Sequence, residues 1–382
     1  FDGYWAECRA LYAGGRALLG DLDVMARMFP RHGAEDQATW MERVRRAEYV
    51  NLPGELLDYV VAALGADPLV MTGEPALGPF WHDFQRAVDG RQLTLAGLMR
   101  QQILTALQTR RAWTLVDLPP RDDGAVIESL ADEEAEGADR AYALPIDPEA
   151  VLDWDTTPSG DLEWALVALR SQPRVGLGDS RANVTERFTY YTRETWERYE
   201  ITYPVKRPPR PKDDVPMVAS GPHSFGRVPL LPLELPVGLW AMDRLHCLAR
   251  AHLNRQSANG WSMLRSLYPL LVAKLAPELG AGGAIPSEAG QDPARATSQV
   301  YGIGRIIQLQ DRDALEYVSP DPAVYTATQA SLDSLRTEMH RVLHAMALSV
   351  DNSAAALQRS AESKSVDQAS TGIIYKAIGQ KI

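Results

Sequence analysis

Between Asp321 and Leu348 one side of the chain is marked by Val324, Thr328, Leu332, Leu335, Met339, Val342 and Met346, at spacings of four, four, three, four, three and four. A stripe this narrow, close to a seven-residue repeat, commits the segment to one long helix that needs a second helix along its seam. Asp321-Pro322 supplies an N-cap residue followed by proline at the first helical position. At 1.5 Å per residue the helix is roughly 40 Å long. The matching partner is Pro236 to Gln256, which carries Met242, Leu245, Ala249 and Leu253 on one face. The seam is therefore expected to use Leu245 and Leu253 from the first helix and Leu332, Leu335, Met339 and Val342 from the second.

The preceding residues divide into a helical layer and a sheet. Glu35 to Val50 places Trp40, Val44 and Ala47 on one face, and Asn51-Leu-Pro-Gly stops it. Gly54 to Leu64 has a continuous stripe of Leu56, Leu57, Val60, Val61 and Leu64, and Thr94 to Arg110 repeats the pattern. Trp113 to Leu118 reads as a strand, and the acidic run Asp132 to Glu136 as a solvated loop. From Tyr142 to Tyr203 the period changes to two, as in Leu162, Trp164, Leu166, Ala168 and in Phe188, Tyr190, Thr192. That period predicts an antiparallel sheet with one buried face. VKRPPRPKDD (205–214) is expected to be an extended surface connection, and 224–232 a further strand. Between the two long helices lie a helix-like WSMLRSLYP and a strand candidate LLVAKL. They are followed by a Gly/Pro/Ala-rich loop from Gly280 to Arg295 and a hairpin of Arg305–Leu309 with Leu315–Val318. The fold class is α+β.

The 382 residues, 45% hydrophobic and 23% charged, fit two or three globular domains. A net charge of −11 excludes a basic protein that wraps nucleic acid. No apolar run approaches the roughly 18 residues that a membrane span needs. FDGYWAECRA lacks the layout of a signal peptide, and Cys8 and Cys247 form no disulfide framework, so a reducing, intracellular origin is expected. His340 and His344 have a spacing that can bring two imidazoles to one metal, but HRVLH lacks the glutamate of a zincin and no third ligand is evident. Polar helix-face histidines are the expected reading, and helix packing is expected for His246, Cys247 and His252. There is no GxSxG elbow, no phosphate-binding GxxxxGK[ST], and no GxGxxG between strand and helix; Tyr301-Gly-Ile-Gly304 reads as a turn. The carboxylate pairs Asp153/Asp155 and Asp311/Asp313 name no general acid. No catalytic residue, cofactor or metal is expected.

The order of elements carries more than any motif. A helical and sheet region containing RFTYYTRETWERYEI (187–201) leads into SFGRVPLLPLEL, then a striped helix, a small mixed insert, a long second helix and a stretch of small residues. This order resembles the portal proteins of tailed bacteriophages. The resemblance implies a wing at 1–235, a stem helix at 236–256, a clip at 257–320, a second stem helix at 321–348 and a tunnel loop followed by the start of a return at 349–382. It departs from the family pattern in stopping ahead of the remaining wing helices and the crown. It further implies a head-to-tail connector at one capsid vertex: a ring, with twelve as the usual subunit number, through which double-stranded DNA is packaged and ejected. The implied partners are further copies of the chain, the DNA, the large terminase motor, a head–tail adaptor and the major capsid protein, with no membrane. The implied location is the virion, after assembly in the host cytoplasm. In the tunnel loop Arg359 and Lys364 become the candidates for transient contact with phosphates. The competing readings are another connector or minor head protein, and a metal-dependent hydrolase built on His340 and His344.

Overall fold

The computed structural model describes residues 2–31, 33, 35–64, 79–118, 141–172, 183–205, 215–267, 270–274, 314–318 and 322–350. In chain order the helices are α1 (Asp2–Ala13), α2 (Gly15–Leu19), α3 (Leu22–Met28), α4 (Gln37–Arg45), α5 (Leu52–Leu64), α6 (Pro79–Arg86), α7 (Leu95–Thr109), α8 (Ala241–Leu267) and α9 (Pro322–Val350). The strands are β1 (Arg111–Asp117), β2 (Tyr142–Ile146), β3 (Val151–Thr156), β4 (Leu162–Ser171), β5 (Asn183–Tyr191), β6 (Thr195–Pro204), β7 (Met217–Pro222), β8 (Leu230–Glu234), β9 (Leu270–Lys274) and β10 (Ala314–Val318). The chain is mixed α and β, as its periodicities require.

Two units partition it, one of Phe1–Tyr12, Pro53–His246 and His340–Ile382, the other of Ala13–Leu52 and Cys247–Met339. The first holds two antiparallel sheets. In one, β1 is central, pairing with β2 on one side and β8 on the other. In the other, β3 to β7 form a five-stranded meander. One core serves both, built from Trp113, Leu115, Ile146, Val151, Ala165, Val167, Tyr191, Val228 and Leu230. At β3, an outermost strand of the meander among the described residues, Asp153 and Asp155 each accept from the next residue's amide, at 2.9 and 2.8 Å. Charged side chains on an outer strand discourage pairing with a further strand. Helix α7 starts where Thr94 Oγ1 accepts from the Gly97 amide (3.1 Å) and ends at Arg110, whose φ of 70° turns the chain directly into β1.

The second unit is simpler. Asp21 caps α3 through the amides of Asp23 and Val24, and Asp36 caps α4 through that of Thr39. It also holds most of α8, part of α9, and the antiparallel ladder in which Leu270–Lys274 faces Val318–Ala314.

Several expectations change. The first long helix does not begin at Pro236: that residue is extended (ψ 148°), Val237–Leu239 make one tight turn, and α8 starts at Ala241. Nor does it stop at Gln256. The Ser257 hydroxyl bonds Glu48 rather than breaking the helix, and the WSMLRSL segment simply continues α8 to Leu267. In the meander the buried parity is the opposite of the one expected. Ala165, Val167, Thr189 and Tyr191 face the core, while Trp164, Leu166, Phe188 and Tyr190 are half-buried on the other side. Period two defines two faces without saying which is covered, and here both carry apolar residues. Tyr142 belongs to the β1 sheet, not the meander. The strand expected at 224–232 begins only at Leu230, and β7, hidden in the glycine- and proline-flanked sequence MVASGP, takes the edge instead. The Leu315–Val318 strand pairs with LLVAK; its expected partner Arg305–Leu309 lies outside the described residues.

Candidate functional site

The element that organises the candidate site is the α8–α9 pair. Along it the second unit's contacts run in opposite directions. The Tyr325 hydroxyl donates to the Ser262 carbonyl at 3.1 Å, and Arg255 Nη1 donates to Ser331 Oγ. As the number falls on α8 it rises on α9, so the two helices are antiparallel neighbours. Leu253, Leu332 and Met339 are completely or almost completely buried in this stretch, as their spacing predicts. Leu335 is half-buried, so it lies at the flank of the seam rather than its centre. In the first unit Leu245 is fully buried and Val342 half-buried. Gly280 to Arg295, and residues 351–382 with Arg359 and Lys364, lie outside the described residues.

Helix α8 is also clamped from its own unit's amino-terminal helices. Asn254 Nδ2 donates to the Met28 carbonyl at 2.9 Å. Ser257 both accepts from the Glu48 amide (3.1 Å) and donates to its carbonyl (3.3 Å). Gln256 Nε2 reaches the Glu48 carboxylate at 3.1 Å, and Arg46 stacks over the Trp261 ring. Arg43 forks onto Glu35 at 2.8 and 2.7 Å while its guanidinium covers Phe29. Backbone and bidentate contacts of this kind fix orientation better than apolar area does.

In the first unit a buried polar group surrounds the start of α8. His246 Nε2 lies 2.9 Å from Glu7 Oε2, both nearly inaccessible to solvent. Tyr4 donates to Asp243 at 2.8 Å and sets its ring edge-on to Trp240, whose indole donates to the Gln108 carbonyl at 2.9 Å. Burial, with Asp243 and Glu7 adding their negative charge, pushes the adjacent Cys8 thiol up to about 12. A thiol so held is inert rather than nucleophilic. Burial first, and Asp117 second, likewise push Tyr142 and Tyr191 up to about 12, so these phenols stay protonated and act as packing groups.

Chemistry of other kinds finds little footing. His340 is exposed on α9, and the side chain of His344 lies outside the described residues. Among the described residues no three His, Cys, Asp or Glu side chains converge as metal ligands, and no helix is long and apolar enough to cross a membrane. An open depression lined by Arg16, Asp21 and Asp23 sits at the start of α3, where Asp21 already takes up the free amides. The sequence indicated the seam leucines and packing for His246 and His252, both of which are buried. Cys247, for which packing was also expected, is exposed because it falls on the other side of α8, and the Glu7–His246 pair was not indicated. Its members are remote in sequence, and a single polar residue on a striped helix gives no sign of what it will meet. No protein-family model matches the chain, and no curated protein matches it.

Proposed function

We propose that this chain is a ring subunit of the portal type: a conduit at one capsid vertex through which double-stranded DNA is packaged and later ejected. On this reading the packaging motor and a head–tail adaptor dock on it, and the major capsid protein surrounds it. The observation that carries the reading is the antiparallel α8–α9 pair, joined by a segment whose described part is the β9–β10 ladder and preceded by a helical and two-sheet unit. Two long helices side by side make a rigid post, and a ring of such posts leaves a channel. Ring closure gives each copy two different contact faces, a head-to-tail interface. The net charge of −11 suits a conduit, because a duplex slides where phosphates are not neutralised. No part of this function calls for catalysis by the chain itself, and the proposed location is the virion.

The test is direct. Purified protein is examined by light scattering and negative-stain microscopy. Closed rings with a central hole, at a mass many times the 42.1 kDa of one chain, support the reading. A stable monomer at all concentrations overturns it.

A further inference from the structure

His252 lies inside the second unit on α8, 1% exposed, and neither of its ring nitrogens has a hydrogen-bond partner. Buried polar groups are nearly always satisfied, so a buried imidazole with both nitrogens unpaired is a cost the fold retains. The charged groups on the described elements around this stretch are Arg336, Asp333 and Glu338 on α9, Asp23 and Arg27 on α3, Glu42, Arg43 and Arg45 on α4, Arg46 and Glu48 just after it, and Arg250 and Arg255 on α8 itself. Arg336 is the one that pushes on the ring, from across the seam. Its own Nη1 is turned to Asp333 at 3.3 Å, while its Nε is buried without a partner. The imidazole is thus buried and unpartnered on the stretch of α8 that runs beside α9, where the charge of Arg336 adds to the cost of a proton on it.

We propose that His252 is an acid-sensitive lock on the α8–α9 pair: the neutral ring closes the seam, and a proton on it loosens the two helices. Burial, and then the like charge of Arg336, hold its pKa below the ordinary 6.5. In the opened or unfolded chain the ring titrates at 6.5, so between 6.5 and the lower native midpoint the opened state holds the extra proton. Stability of the seam is therefore full above pH 6.5 and falls as pH drops, levelling off once the native ring is protonated too. The inference concerns the helix pair itself and stands apart from the ring reading.

The experiment measures amide hydrogen exchange in peptides covering 247–267 and 322–339 from pH 7.5 to 5, corrected for intrinsic rates, in the wild-type chain and in His252→Leu. Below pH 6.5 wild-type protection should fall faster than that of the variant, by up to about tenfold per pH unit. At pH 7.5 the variant should be as well protected as wild type or better, because it removes an unsatisfied group. Parallel curves for the two proteins would overturn the proposal. An independent reading comes from the NMR titration of the His252 ring in the wild-type chain. A midpoint below 6.5 that rises in Arg336→Met supports the lock, whereas a midpoint at or above 6.5 refutes it even if His252→Leu does not fold.

Discussion

Cys8 and Cys247 show how far one residue type is governed by its surroundings. Cys8 is fully buried beside Glu7 and Asp243, whereas Cys247 is exposed. At pH 8 a thiol reagent should modify one cysteine per native chain, Cys247, and both after denaturation; mass spectrometry counts them. Because burial raises the Cys8 pKa from 9.0 to about 12, its contribution to stability is complete below pH 9 and is lost as pH climbs from there towards 12. Cys8→Ala should flatten that alkaline decline. The neighbouring Glu7–His246 pair is a stronger test of residue-scale energetics. Each single change to Leu leaves the other polar group buried without its partner, so each should cost about 2–4 kcal/mol in denaturant unfolding. The double variant should cost clearly less than the two added together, and strict additivity would mean the pair is not coupled. Nothing in the sequence announced this pair. A glutamate near the amino terminus and a histidine far along the chain carry no shared pattern, and only the fold makes them neighbours.

Along α9 the stripe is buried at Leu332 and Met339, half-buried at Leu335 and Val342 and, against expectation, exposed at Val324, so substitutions should grade with burial along it. Leu332 is fully buried and Leu335 half-buried. Leu332→Asp should therefore cost about 3–5 kcal/mol, and Leu335→Asp roughly half as much, since its carboxylate can turn to water. Equal costs, read by thermal or denaturant unfolding, would mean that the seam is wider than three side chains indicate. At the start of α2, Gly14 has a φ of 59° and its absent Cβ would lie within 3.2 Å of Asn51 atoms. Gly14→Ala should lose about 1–3 kcal/mol for that reason. Periodicity made the helices and their core faces legible, because a 3.6-residue stripe has only one side to bury. Strands were less legible. In β4 and β5 both faces are apolar, so alternation located the strands but not their inner side. In β7 only Met217 and Val218 precede Ala, Ser and Gly, prolines bound the strand, and membership of the sheet comes from pairing with β6 rather than from local preference.

At the scale of the whole chain, the order of elements is the feature that the proposed ring rests on. On that reading, helix α8, the segment that follows it and the antiparallel α9 would form a post. On the portal reading, the residues that follow α9 bend toward the channel. The segment 349–370, SVDNSAAALQRSAESKSVDQAS, is small and polar, and α9 runs two residues into it, to Val350 rather than the expected Leu348. That composition suits a constriction lined by side chains that neither fill the passage nor grip what moves through it. In a chain of net charge −11, Arg359 and Lys364 are the cations of this segment. Their contacts with passing phosphates should be weak and weakened further by salt, because each neutralised phosphate releases a counterion. Changing both to glutamate should leave ring assembly unchanged while lowering the amount of DNA packaged or retained. Assembly is read by microscopy and packaging by nuclease-protected DNA, so the two effects separate. Unchanged packaging in intact rings would make the segment a plain connection and move the constriction elsewhere. Loss of rings would place these residues at the contact between subunits.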